Sequence, residues 1–168
     1  MKILLDTLAE ADLADCHALF VDAVHALGRR HYRPEQCAAW APPGAMPDAW
    51  RDGWARRLAR AWGVKALADD GRLAGFAWLL FDGEFDMLYV APWAAGRGVG
   101  SRLVGALLYE GRRAGLAALT VYASHGARPL FERAGFVVER DHLAWRDGVA
   151  LENWIMRASL AEPGRAAR

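Results

Sequence analysis

Between Leu88 and Leu103 the chain reads LYVAPWAAGRGVGSRL: an apolar strand end, three alternate glycines, then the start of an apolar-periodic run. Few architectures accommodate such a stretch. Gly96, Gly98 and Gly100 strip Cβ atoms from a connection that must turn between a strand and a helix. A helix N-terminus carries unpaired N–H groups and the positive end of the helix dipole. Glycines let that backbone close on an anion, and Arg97 and Arg102 add charge beside it. The segment therefore predicts a strand–loop–helix unit that cradles phosphate. The two best-known phosphate loops do not fit. A P-loop ends in Gly-Lys-Ser/Thr, whereas Gly100-Ser101-Arg102 stands here. A dinucleotide fingerprint counted from Gly96 needs glycine at Ser101 and a first-strand βαβ unit.

Other elements order themselves around this unit. Ile3 to Leu5 predicts a short edge strand. Ala9 to Leu27 carries apolar residues at helical spacing and stops at Gly28. Pro34 can open a short helix, and Pro42, Pro43, Gly44 and Pro47 break the chain. Asp48 suits an N-cap for a helix from Ala49 to Ala61. The pattern then changes. Trp62 to Ala68 and Leu73 to Phe81 are apolar runs joined by a turn at Asp69–Arg72, and Phe85 to Val90 follows a second turn at Asp82-Gly83. These three strands predict an antiparallel meander. Gly96 to Gly115 reads as a helix burying Val99, Leu103, Ala106, Leu107 and Tyr109. Leu116 to Ala123 is a strand, Arg128 to Ala134 a short helix closed by Gly135, and Phe136 to Trp145 with Val149 to Met156 a final strand pair. Residues 1–160 form one domain without internal repeats, and a tail from Ala161 is expected to be disordered.

Bulk properties narrow the function classes. In 168 residues, 21 basic and 20 acidic side chains leave a net charge of +1. That gives no basic face for nucleic acid or a membrane surface. Of the basic residues only Lys2 and Lys65 are lysines, which fits biased genome composition. Cys16 and Cys37 form no disulfide or zinc pattern, no metal site is expected, and a cytoplasmic location fits. The N-terminus places acids early and lacks a signal-peptide pattern, and no apolar run approaches the ~18 residues of a membrane span.

Two motifs together resemble the GCN5-related N-acetyltransferase (GNAT) family. Its coenzyme A motif follows a strand ending in Tyr-Val-x-Pro and runs Gln/Arg-x-x-Gly-x-Gly/Ala; here stand Tyr89-Val90-Ala91-Pro92 and Ala95-Gly96-Arg97-Gly98-Val99-Gly100. A second motif, Asn-x-x-Ala with an aromatic pair and Gly-Phe, is matched by Ser124 to Phe136. The pair, in order, is more specific than either alone. The runs HYRPEQCAAWAP and RDGVALENWIMRASL resemble a bacterial branch of the family, the YafP-like one. The resemblance implies an α/β (α+β) domain with a mixed, mostly antiparallel twisted sheet of about six to seven strands flanked by about four helices. It implies acetyl transfer from acetyl-CoA to an amine of a small molecule or peptide by direct attack. Three departures stand out: Ala95 replaces a pyrophosphate-binding Gln or Arg, Ser124 replaces a frequent Asn, and Phe131 replaces a Tyr that protonates the departing thiolate.

The resemblance also assigns residues. Coenzyme A would meet Leu88, Tyr89 and Val90 on the strand, Ala95 to Ser101 in the loop, and Ser124, Ala127, Arg128, Leu130 and Phe131 downstream. A backbone N–H at Leu88 or Tyr89 could polarise the thioester carbonyl. Glu84 and Asp86 are base candidates, since a two-residue spacing puts both on one strand face. Asp86 lies nearer the expected thioester, and some family members place a base Glu six residues before the Val90 position. With Phe131 unable to donate, Ser124 is the candidate acid, with Tyr122 and His125 also at hand. The segment after the first helix would roof the acceptor pocket, with His31, Tyr32, Trp40 and Asp86 as substrate contacts and Glu35, Trp50 and Trp54 nearby. Trp50 and Trp54, at i,i+4 spacing, also suit core packing. The apolar C-terminal strand and eight tryptophans would suit a homodimer. A non-catalytic coenzyme A sensor on the same fold is the competing reading.

Overall fold

The computed structural model describes residues 2–160; the tail from Ala161 lies outside them. Seven strands form one sheet in the order β1-β2-β3-β4-β5-β7-β6. In chain order the elements are β1 (Ile3–Thr7), α1 (Leu13–Ala26), α2 (Pro34–Trp40), α3 (Asp48–Leu58), β2 (Ala61–Ala68), β3 (Leu73–Leu80), β4 (Glu84–Val90), α4 (Val99–Arg113), β5 (Ala118–Ala123), α5 (Arg128–Arg133), β6 (Val137–Arg146) and β7 (Val149–Ser159). Every pairing is antiparallel except β4 with β5. The expected mixed, mostly antiparallel sheet is borne out, with five helices.

The two faces of the sheet are covered by different helices. Gly75 and Phe76 are neighbours on β3 and point to opposite sides. A Cβ on Gly75 would meet Val99 and Leu103 of α4, whereas the Phe76 ring packs on Trp54 of α3. Phe20 of α1 packs on Tyr89, and α2 and the segment before it are tied to β7 by Gln36 and Tyr32 respectively. Thus α1, α2 and α3 share one face, while α4 and α5 share the other.

Several element limits differ from the sequence expectations, each for a local reason. The first helix begins with a 3-10 turn at Glu10–Asp12, because the Asp12 carboxylate accepts the Ala9 N–H at 2.8 Å and the Lys65 ammonium at 2.8–2.9 Å. Asp48 is the first helical residue rather than the cap, which is Pro47. Helix α4 starts at Val99, not Gly96, because Gly96 and Gly98 sit at φ 72° and 78°. Its buried stripe is Val99, Leu103, Val104, Leu107, Leu108 and Gly111, so Tyr109 falls off the stripe and is exposed. Leu116 closes the turn after α4 through its bond to the Gly111 carbonyl, which delays β5 to Ala118.

Among the described residues no helix is long and apolar enough to cross a membrane. The close seat of α4 on the sheet gives a test. An added Cβ at Gly75 would lie 2.9 Å from the Tyr89 carbonyl oxygen and 3.0 and 3.1 Å from Val99 and Leu103. Gly75→Ala should therefore destabilise the fold by about 1–3 kcal/mol, read as a lower urea midpoint with unchanged m-value.

Candidate active site

The glycine loop is built for backbone presentation. Gly96 and Gly98 hold left-handed conformations that L side chains rarely adopt. Gly100 has ordinary φ and serves a different end: a Cβ there would lie 2.9 Å from Leu130, so its bareness lets α4 abut α5. The Arg102 N–H reaches the Gly98 carbonyl at 3.1 Å. The amides of Val99, Gly100 and Ser101 therefore precede the first helical bond and point out of the helix end. Arg97, Ser101 and Arg102 are exposed around them, and Ala95 is half-buried with no polar group to offer.

β4 lies between this loop and the chemistry, and two irregularities shape it. It pairs with β5 only at Glu84↔Thr120 and Phe85↔Val121, after which the strands part. On its other side, Trp78 pairs with Met87 and Leu79 with Phe85, so Asp86 is an extra, bulged residue. The bulge resets the alternation. Phe85 packs on Phe131 and Phe136 on one face, while Tyr89 packs on Phe20 on the other. The Ala91 N–H bonds the Ala74 carbonyl. Alternate residues of an antiparallel pair exchange bonds, so Tyr89 and Met87 also turn their backbone groups to β3. Leu88 and Val90 turn theirs into the gap left by β5. A cavity of about 230 Å³ fills this gap, between α1 on one side and Ala127, Leu130 and Phe131 on the other.

A second cavity, of about 790 Å³, opens on the α1–α3 face. Trp40, Asp86, Met87, Tyr89, Tyr122 and Ser124 border both, so the two meet where β4 and β5 diverge. Glu84 and Asp86 both line the larger cavity, but in different states. Asp86 accepts from the Trp78 indole at 2.6 Å and from Arg57 at 3.1 Å. Glu84 makes no ion pair among the described residues. Burial first, and then the Asp86 and Asp82 charges, push its carboxyl above the usual range. Tyr89 accepts from the Trp40 indole at 3.2 Å, and burial drives its hydroxyl pKa upward.

A family model described as an acetyltransferase (GNAT) domain matches residues 29–157. The chain belongs to the GNAT acetyltransferase family. It is 32% identical over 146 residues to an Escherichia coli protein described as the uncharacterized N-acetyltransferase YafP, covering 87% of this chain and 89% of that one. A GCN5-related N-acetyltransferase structure from Rhodopseudomonas palustris superposes with a TM-score of 0.86 at 32% identity, over 95% of this chain and 97% of that one. The PaiA N-acetyltransferase of Thermoplasma acidophilum, solved with coenzyme A, shares the fold at TM-score 0.73 and 17% identity, over 95% and 99% of the two chains. The co-substrate of the family is acetyl-CoA.

Within this GNAT domain the residues singled out from sequence fall into three groups. Leu88, Tyr89, Val90, Ser124, Ala127, Leu130 and Phe131 border the gap between β4 and β5. Arg128 does not: its guanidinium pairs with Glu132 at 2.7 Å and stacks on Trp154 at 4.7 Å. Tyr32 and Trp40 border both cavities, yet the Tyr32 hydroxyl is already spent, donating to the Glu152 carbonyl at 2.6 Å and accepting from the His125 N–H at 3.2 Å. Tyr32 thus fixes the roof rather than offering a free hydrogen bond. His31 is exposed, stacked on His125, and lines neither cavity. Glu35 pairs with Arg33 at the surface and does not converge with Glu84 and Asp86.

Sequence reasoning missed the far wall of the larger cavity. His142, Ala144 and Arg146 of β6 and Asn153 of β7 contribute to it, as does Arg57 of α3. Only the alternation along the final strand pair could have pointed to the four strand residues. Trp50 and Trp54 do pack against the core, and both also line the cavity.

The state of Glu84 carries a stability consequence. A carboxyl whose folded pKa is raised binds its proton more tightly in the folded state. Its stabilising contribution is complete below the unfolded value and is lost as pH rises through the folded one. At neutral pH Glu84 is therefore a liability to the fold. Glu84→Gln should raise the Tm at pH 7, with the gain shrinking as pH falls toward 4.5, the ordinary value for this group.

Proposed function

We propose that this acetyltransferase acylates an amine of a small molecule held in the 790 Å³ cavity, with Glu84 taking the amine proton. The observation that carries the reading is the junction. A cleft lined by free strand backbone opens into an aromatic cavity, and an unpaired carboxyl of raised pKa stands in the wall of that cavity. Acetyl-CoA fits the first half: the amides at Val99, Gly100 and Ser101 would hold its pyrophosphate, and Leu88 and Val90 would pair with its pantetheine arm. When bound it supplies an activated acetyl thioester, whose C–S bond breaks as the new N–C bond forms.

The remaining work belongs to side chains and backbone. The Leu88 N–H, turned into the gap, is the donor to the thioester carbonyl, since the Tyr89 amide is engaged with β3. Sequence reasoning favours Asp86 as base, but its bonds to Arg57 and Trp78 hold it as a positioning group. Glu84 has no such tie, and its raised pKa strengthens it as a proton acceptor. The Ser124 hydroxyl accepts the Ala127 N–H at 3.3 Å, which leaves its own proton to donate to the departing thiolate. Tyr122 is the second hydroxyl at the junction, with its ring turned edge-on to His142 in the acceptor cavity.

We place the enzyme in the cytoplasm, because both cysteines are free and buried. Self-association would use β6, an edge strand that leaves Val137, Leu143 and Trp145 exposed.

Thiol release from acetyl-CoA over an amine panel tests the reading. Glu84→Gln should lower kcat/KM by about 10²–10⁴-fold and remove the acid limb of its pH profile. If Asp86→Asn alone does this while Glu84→Gln keeps the wild-type profile, the base assignment is wrong. Gly98→Ala, strained at φ 78°, should weaken acetyl-CoA binding by about tenfold or more in calorimetry. Acetyl-CoA binding with no thiol release on any amine would instead favour the sensor reading.

A further inference from the structure

The charges of the acceptor cavity do not cancel locally. Its floor is one sheet face, on which Tyr122 of β5 and Ser124 just beyond it lie beside Asn153 of β7 and His142 and Arg146 of β6. The register His142↔Asn153, Ala144↔Leu151, Arg146↔Val149 keeps the three β6 residues in line. Two carboxylates and two arginines line the cavity. Asp86 and Arg57 neutralise each other at 3.1 Å. That leaves Glu84 and Arg146, neither in an ion pair among the described residues.

Arg146 is well placed despite its exposure. It pairs with Val149 across Asp147 and Gly148, whose φ values of 47° and 78° are those of a two-residue type I′ hairpin. The tight turn fixes the root of the side chain. Its guanidinium makes one hydrogen bond, to the Trp145 carbonyl at 2.9 Å, and most of its donors stay available. Its positive charge reaches the Tyr89 hydroxyl within the cavity, where it opposes the upward push of burial on that phenol. The same cavity has aromatic walls: Phe20, Trp40, Trp50, Trp54 and Tyr89.

We propose that the acceptor is an amino-acid-like molecule with an aromatic or bulky apolar body, its amine directed to Glu84 and its carboxylate to Arg146. The inference rests on the acetyl-transfer reading above. A simple amine would leave Arg146 without a partner, and a dicarboxylate would meet the Glu84 carboxylate. A zwitterion satisfies both charges, and a guanidinium binds a carboxylate through two parallel hydrogen bonds. The aromatic walls stack on the body of the ligand at little entropic cost.

The test uses the full chain and matched amines. Phenylalanine, β-phenylalanine and 4-(aminomethyl)benzoate carry a carboxylate; phenethylamine, 1-phenylethylamine and benzylamine are their respective carboxylate-free counterparts. Thiol release with acetyl-CoA gives kcat/KM, and quenching of the cavity tryptophans gives affinity without turnover. The wild type should prefer at least one carboxylate-bearing amine over its counterpart by about tenfold or more, and Arg146→Ala should erase that preference. Arg146→Lys should restore part of it. Equal use of both series by the wild type, equal loss in both with Arg146→Ala, or no binding by any carboxylate-bearing amine would overturn the inference. Binding of a carboxylate-bearing amine that depends on Arg146, without any thiol release, would keep the Arg146–carboxylate contact and sink the transfer reading. Thiol release with no carboxylate preference would do the reverse.

Discussion

The structure depends on an interruption: β4 and β5 pair for two residues and then separate. An open strand edge inside a sheet is a costly state, since backbone N–H and C=O groups away from water need partners. Here the cost is confined to one side of Leu88 and Val90. The closed end of the gap is pinned by the rings of Phe85, Phe131 and Phe136, and its α1 side by Trp40 against Tyr89. What remains is a slot that a strand-like molecule completes, in the manner of an added strand. The loop at Gly96–Gly98 lies at the end of the same strand, so backbone alone offers an extended groove and an anion-binding terminus in succession.

Much of this was legible in the residues. The glycine spacing after Val90 and the motif ending at Gly135-Phe136 pointed to the correct family and hence to the sheet. Apolar runs separated by Asp-Gly turns marked the meander. The limits that shifted did so where a side chain or a left-handed glycine took over from periodicity, as at Asp12 and Gly98. Helix register was harder to read. Tyr109 looked buried because it is large and apolar, yet it lies off the stripe that ends at Gly111.

The acceptor side was less legible, for a physical reason. Its walls come from α1, α2, α3, β4, β5 and the β6–β7 hairpin, and no local spacing records such a convergence. Nor does sequence show that a hydroxyl is already committed, as with Tyr32, or that a carboxylate is held, as with Asp86. The alternatives posed for Trp54, core packing or pocket wall, were not exclusive: its ring packs on Phe76 and Trp78 and borders the cavity. One layer of aromatic side chains serves as the inside of the protein and the outside of the site.

The bulge at Asp86 constrains how this domain can change over generations. One extra residue separates the face of Phe85 from that of Met87 and Tyr89. Losing it would carry Glu84 and Phe85 to the wrong sides at once, sending an aromatic ring into the acceptor cavity and a carboxylate toward the ring cluster under α5. Adding one would do the same, because side chains on a strand alternate. A lineage descending from this chain is free to exchange side chains along β4 and thereby explore new acceptors. A gain or loss of one residue there would invert the faces, so acceptor range is open to change by side-chain replacement and closed to change by a single insertion or deletion.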